Sequence, residues 1–345
     1  MKQIVTTRRG GPEVLRPREV GAPRPAAGEV CVATAYAGVN FADVMVLLGL
    51  YPDAPPLPAV IGYEVSGVVT AVGEGVASSR VGERVTALCA SGGYAGLVCV
   101  PSNHAFPLPD GVGLQAAAAL PVNYLTADFA LHVLTHVGRG DRVLVHSAAG
   151  GVGQAASQLV RLAGGEVLAT ASPAKHDLLR KQGCPLVLDS RQTRFAAAVR
   201  AATDGRGCDI VLEPRHGRWI MESYRCLAAG GRLVLHGFAS AAEGRGGLLG
   251  ALRTLARVPW LQINPVRLMN DNRAVAGVNL ARLQAEPDRF TAWMPRLLSL
   301  LAAGDICPRI DRVYPADEAG AAQLRLQQRA NVGKVLLEFG GEDPA

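Results

Sequence analysis

Between residues 145 and 165 the chain reads VHSAAGGVGQAASQLVRLAGG, a hydrophobic run that ends in small residues and passes at once into a helical pattern. Counted from Ala148, the small residues space as A-x-G-x-x-G through Gly150 and Gly153. Each position answers a physical demand. Gly150 lets the backbone approach a pyrophosphate, and Gly153 lets a helix pack closely on the preceding strand. The helix start, with Gly151, Val152 and Gly153, offers free amides and a positive dipole end to phosphate. A bare glycine cluster is a weak motif; between a strand and a helix it is a strong sign of a dinucleotide site.

The following strand, EVLATAS, bears on which dinucleotide. A site for NAD usually carries an acid about 20 residues beyond the glycines, to hold the ribose hydroxyls. Thr170, Ala171 and Ser172 stand there instead, with Lys175 close behind. The Ser172 hydroxyl and the Lys175 cation suit a 2'-phosphate, so the expected cofactor is NADPH. Asp177 is the counter-evidence, but it falls within a predicted helix. The alternative for Lys175 is a solvated helix residue.

The elements that position these residues follow from periodicity. Through about residue 120, EVCVATAYAGV, EVSGVVTAVGEGV and RVTALCASGGYAGLVCVPS alternate apolar and small residues between glycine turns, a β-rich, barrel-like pattern. From LQAAAALPVNYLTADFALHVLTHVG onward the period turns helical, with a break at Pro121. Strands RVLVHSA, EVLATAS, LVLDS, DIVLEP and GRLVLHGF then alternate with helices, which predicts a parallel sheet covered on both faces.

Composition narrows the classes. A length of 345 residues fits two domains. No apolar stretch reaches the ~18 residues of a membrane span, and MKQIVTTRRGGPEVL has no signal-type apolar block, so a cytoplasmic protein is expected. The charge of +6 comes from 31 Arg and 4 Lys scattered along the chain. Nucleic-acid binding calls for a concentrated basic face, so no such partner is expected. Seven widely spaced cysteines without a C-x-x-C pair argue against a disulfide framework or a structural zinc cluster.

GVNFADVMVLLGLYP, GYEVSGVV, PVNYLTA, VHSAAGGVGQAASQL and NVGKVLLE together resemble the medium-chain dehydrogenase/reductase superfamily, in its zinc-free group of quinone oxidoreductases related to zeta-crystallin. The segment from RTLARVPWLQ to NLARL further resembles the branch of vesicle amine transport protein homologues. The resemblance implies a chaperonin-10-like β-rich catalytic domain, residues 1–122 and 297–345, with a Rossmann domain, 123–296, inserted in it. It also implies a nicotinamide held in a cleft between the two, and a homodimer that pairs the sheet-edge strand AVAGVNL. Gly237 and Phe238, in the nicotinamide loop, and Asn331 would also meet the cofactor.

Zinc-dependent relatives place a cysteine and a histidine where this chain has Asn40 and Tyr63. No third ligand accompanies His132 and His136, so no metal site is expected. Without zinc, hydride transfer to an already electrophilic carbon remains, in a quinone or an α,β-unsaturated carbonyl. By resemblance Asn40, Tyr51 and Thr126 lie near the reacting atoms. Tyr51 either donates a proton or hydrogen bond to the reduced oxygen or is a packing aromatic at the cleft mouth.

Several positions depart from the family. Asp128 replaces a common aromatic, Ser190 replaces a frequent tyrosine, and His236 precedes the nicotinamide loop. Glu213, Pro214, Arg215 and His216 replace an aspartate, a hydrophobe and two glycines. Arg215 and His216 are expected to crowd or polarise the cofactor edge and to select an acidic or specialised acceptor; the alternative is a solvated loop. Two functions fit the chain: a zinc-independent NADPH-dependent reductase of quinones or enones, possible in a biosynthetic pathway, and a cofactor-binding interaction protein with little turnover.

Overall fold

The structure is a computed structural model that describes residues 1–215, 217–237, 263–283 and 287–340, with the backbone alone for 287–290. It comprises two compact units, Met1–Leu125 with Leu280–Ala345, and Thr126–Asn279.

The first unit is built on β1 (Lys2–Thr6), β2 (Leu15–Glu19), β3 (Glu29–Val39), α1 (Phe41–Leu47), β4 (Ala59–Val60), β5 (Glu64–Val72), β6 (Arg84–Leu88), β7 (Leu97–Pro101), β8 (Ala105–Pro107) and α2 (Leu114–Ala119). A further helix, α3 (Pro121–Asp128), carries the chain out of it. Sheet order is β2-β1-β4 in a small sheet and β15 (Ile310–Pro315), β16 (Lys334–Glu338), β3, β5, β6, β8 in a larger one, where β7 also pairs with β3. Strand β3 is the hub: β5 takes one edge, while β7 and then β16 share the other. Its small and β-branched residues suit this crowding. At Gly67 on β5 an added Cβ would lie 1.8 Å from the Ala33 carbonyl oxygen, so no side chain fits the close β3–β5 approach. Val30, Val32, Val65 and Val85 pack the core beneath. Pro121 opens α3 at a position where its missing N–H costs no helical bond.

The second unit alternates β9 (Arg142–Val145), α4 (Gly151–Leu162), β10 (Glu166–Ala171), α5 (His176–Lys181), β11 (Val187–Asp189), α6 (Ala196–Ala202), β12 (Cys208–Glu213), α7 (Arg218–Arg225), β13 (Leu227–Leu235), α8 (Pro265–Asp271) and β14 (Ala274–Gly277). All five ladders of the order β11-β10-β9-β12-β13-β14 are parallel. The order runs outward in both directions from β9 and β12. Their carboxyl ends form the switch point where doubly wound sheets bind ligands.

The chain returns to the first unit through α9 (Leu280–Leu283), α10 (Pro287–Ala303), β15 (Ile310–Pro315), α11 (Ala319–Gln327) and β16 (Lys334–Glu338). The return expected at residue 297 therefore falls inside α10, a helix that packs on the short turn Ser102–His104 of the first unit. Among the described residues no helix is long and apolar enough to cross a membrane.

Candidate functional site

In the first unit the chemistry gathers where β3 ends. Asn40 caps the start of α1, and Asp43, at the third helical position, accepts its backbone N–H at 2.7 Å. That leaves the Asn40 carboxamide for other partners. Its Nδ2 donates to Glu64 Oε1 at 2.8 Å, and its Oδ1 accepts from Lys334 Nζ at 2.6 Å. Lys334 Nζ also donates to Glu64 Oε1, and the Val122 N–H donates to Glu64 Oε2 at 2.7 Å. Glu64, Lys334 and Asn40 are all buried, so a paired charge inside the first unit fixes the amide of Asn40.

Asp43 lies in the same buried region. Its Oδ2 also accepts from Tyr94 at 2.9 Å, and Gln323 donates to the Tyr94 hydroxyl oxygen at 2.8 Å. Burial pushes the Asp43 carboxyl up to about 7, against the hydrogen bonds from Asn40 and Tyr94. Tyr51 lies half-buried with its ring centroid 5.9 Å from that of Tyr63. Burial, and next the Asp53 charge, raise the Tyr51 phenol, which keeps it protonated near neutrality. The buried Tyr63 hydroxyl has no hydrogen-bond partner among the described residues.

Asn40 and Tyr63 are thus poor zinc ligands: one is a neutral amide already bonded at both ends, the other a phenol that burial holds protonated. Among the described residues no group of three His, Cys, Asp or Glu side chains is placed to hold a metal ion.

In the second unit, Thr126 and Asp128 are buried on α3. His132 Nδ1 lies 2.9 Å from Asp128 Oδ1 across one helical turn. At the glycine motif, β9 runs into Gly150, which caps α4 without a side-chain bond, so the amides of Gly151, Val152 and Gly153 lack intrahelical acceptors. At Gly153 a Cβ would sit 2.4 Å from the Ser147 carbonyl oxygen and 2.6 Å from the Ala148 Cα; only glycine allows that crossing. Gly150 is less restricted, with a single contact at 3.3 Å. Beyond β10, Ser172 precedes the turn Pro173–Lys175, with Lys175 half-buried. Asp177 points to its own helix neighbour Arg180 at 3.0 Å.

At the switch point Arg215 is not the solvated loop residue of the alternative reading. Its guanidinium turns inward and is buried. Nε donates to Glu213 Oε1 at 2.8 Å, Nη2 to Glu213 Oε2 at 3.1 Å, and Nη1 to the Ser190 carbonyl at 2.9 Å. The donors of this cation are thus directed at Glu213 and Ser190 inside the unit.

Arg215 Nη2 also lies 2.9 Å from His146 Nδ1. Arginine only donates, so Nδ1 is the acceptor and the imidazole proton sits on Nε2. Nε2 lies 3.0 Å from Ser223 Oγ, which donates to Glu213 Oε2 at 2.7 Å. Burial depresses His146 to about 3. Burial alone would raise Glu213, yet the Arg215 charge and the hydrogen bonds from Arg215 and Ser223 outweigh it and hold the carboxyl down at about 2. Serine, histidine and glutamate do not form a nucleophilic relay here, because the serine donates to the carboxylate and all three are buried.

His236 is half-buried, and burial depresses it to about 4. A Cβ on Gly237 would lie 3.1 Å from the Pro214 carbonyl oxygen. Asn331 Nδ2 donates to the Gly333 carbonyl at 2.8 Å. His216 and Phe238 lie outside the described residues. Sequence patterns missed the polar partners Glu64, Lys334, Asp43, His146 and Ser223. Glu64 and Lys334 stand in the motifs GYEVSGVV and NVGKVLLE, but nothing in spacing shows that two residues so far apart in sequence meet.

The profile of the alcohol dehydrogenase GroES-like domain matches residues 26–110, and that of the zinc-binding dehydrogenase matches residues 182–337. The human synaptic vesicle membrane protein VAT-1 homolog is 38% identical over 331 residues, which cover 95% of this chain and 83% of that protein. The chain belongs to the medium-chain dehydrogenase/reductase superfamily, in its VAT-1-like branch. Two solved members are also similar along nearly the whole chain. A mycobacterial protein complexed with NADPH shares 33% identity at a TM-score of 0.86, covering 98% of this chain and 100% of that one. A quinone oxidoreductase of Pseudomonas syringae pv. Tomato DC3000 shares 30% at 0.84, covering 98% and 99%. Members of this superfamily are oxidoreductases that bind nicotinamide cofactors.

Proposed function

We propose that the protein is a zinc-independent, NADPH-dependent reductase of quinones or α,β-unsaturated carbonyl compounds. The observation that carries the cofactor choice is the end of β10: Ser172 and Lys175 stand where an acid would hold a ribose, and Asp177 is tied to Arg180. The bound cofactor would supply the hydride. The open amides of Gly151 to Gly153 would hold the pyrophosphate, and Ser172 with Lys175 the 2'-phosphate. Gly237 and Asn331 are further proposed cofactor contacts, and Thr126, Asp128 and His236 further acceptor-side residues.

Tyr51 is the proposed hydrogen-bond donor to the oxygen on which charge develops: burial raises its phenol, so it stays protonated and donates without giving up its proton. Asn40 is fixed by Glu64 and Lys334 and adds a preorganised dipole beside it, which costs no reorganisation during reaction. A quinone or conjugated carbonyl already has an electrophilic carbon, so no Lewis acid is required of these residues.

The test is anaerobic mixing of the enzyme and NADPH with a panel of quinones and enones, in the presence of a strong chelator. Oxidation of NADPH by at least one acceptor, unchanged by the chelator, is expected. Tight NADPH binding with no oxidation by any acceptor would favour an interaction protein instead.

A further inference from the structure

Strands β3 and β7 run antiparallel, and their register sets Cys31 directly opposite Cys99. The ladder bonds fall on alternate positions. The Thr34 N–H donates to the Gly96 carbonyl and the Ser102 N–H to the Gly28 carbonyl, so the even-numbered residues of β3 carry the bonds to this neighbour. Glu29 agrees: its N–H goes to Ala26 and its carbonyl takes the Gly73 N–H, while its register partner Pro101 has no N–H to give. Cys31 and Cys99 therefore form a non-hydrogen-bonded pair. At such pairs the Cα atoms approach to about 4.5 Å, within the ~4.4–6.8 Å that a disulfide spans. Cys31 is also the neighbour that acts most strongly on the Cys99 thiol. Both are free, Cys31 buried and Cys99 half-buried.

We propose that Cys31 and Cys99 form a modification site, a dithiol that a low-molecular-weight disulfide oxidises to a cross-strand disulfide inside the catalytic unit. The thiolate of Cys99, the more accessible of the two, attacks one sulfur of glutathione disulfide and expels one glutathione thiolate. The Cys31 thiolate then attacks the Cys99 sulfur of the mixed disulfide and expels the second. The two protein thiols give up two protons and two electrons, and the glutathione disulfide leaves as two thiols. Burial, and next the adjacent Cys31, push the Cys99 thiol up to about 12. The first step is therefore slow at neutral pH, and the site responds to a sustained oxidising load rather than a brief pulse. The bond would clamp β7 to β3, its one pairing partner among the described strands apart from isolated bridges.

The full chain is incubated with excess glutathione disulfide at mildly alkaline pH. Remaining thiols are then blocked, and the unreduced digest is mapped by mass spectrometry. A Cys31–Cys99 cross-link is expected, together with a rise of several degrees in Tm that a reductant reverses. Cys99→Ser should show neither, and Cys31→Ala, which keeps the buried position apolar, should stop at a glutathione adduct on Cys99. Two results would overturn the proposal. One is a stable wild-type adduct on Cys99 with Cys31 still free; the other is both thiols intact under conditions that fully modify the exposed Cys307.

Discussion

Glu213 keeps its charge in a site closed to water because Arg215 and Ser223 direct their donors at it. Such a pair is costly to break and cheap to replace whole. Arg215→Met strands a buried carboxylate and should cost about 3–5 kcal/mol in urea unfolding. The double change Arg215→Met with Glu213→Gln should recover much of that loss, and equal losses in single and double variants would show that the pair does not matter. Lys175 is a half-buried cation proposed to meet the 2'-phosphate. Lys175→Glu should weaken NADPH at least tenfold more than NADH, since a charge-assisted contact contributes about 1.5–3 kcal/mol; fluorescence titration with both cofactors reads the difference. The sequence showed that Arg215 was unusual. It did not show which way the side chain turned, because two of the deciding partners, His146 and Ser190, come from other places along the chain.

At the scale of the elements, strand and helix periodicity and the glycine motif were legible, because each depends on neighbours within one strand or turn. Gly153 needs only the preceding turn to explain it. The return of the chain to the first unit was less legible, since the helical pattern of α10 does not say which unit it packs on. The cap of α1 carries a pH dependence. Asp43 titrates near 3.8 when exposed and near 7 when folded. The folded state thus binds a proton more tightly, and this stabilisation is fully present below 3.8 and lost as pH rises through 7. Since each tenfold gain in proton affinity is worth ~1.4 kcal/mol, the contribution amounts to a few kcal/mol. Asp43→Asn, which keeps an acceptor for Asn40 and Tyr94, should flatten the stability of the first unit between pH 4 and pH 7. A thermal-melt series across that range checks it, and an unchanged slope would contradict the assignment.

Across the whole molecule the two units should respond oppositely to acid. His146 and His236 are depressed to about 3 and about 4, so the unfolded chain takes up their protons first, and stability from them is lost as pH falls below 6.5. Glu213 adds a loss below 4.5. The second unit should weaken first on acidification while the Asp43 contribution to the first unit grows. Its sheet also ends in β14, which pairs with β13 on one side alone among the described strands, and the preceding helix α8 exposes Val266 and Met269. A strand edge with no partner among the described strands is a template for pairing with another chain. A homodimer of twice 36.0 kDa is therefore expected by light scattering, with Met269→Glu shifting it toward monomer. The central claim, hydride transfer from NADPH to a conjugated carbon, is tested most directly with cofactor deuterated at the transferring position of the nicotinamide and an enone acceptor. Reduced product carrying that deuterium at the carbon β to the carbonyl is the predicted result. Bound cofactor with no labelled product from any enone, and no oxidation of that cofactor by any quinone, would contradict the account.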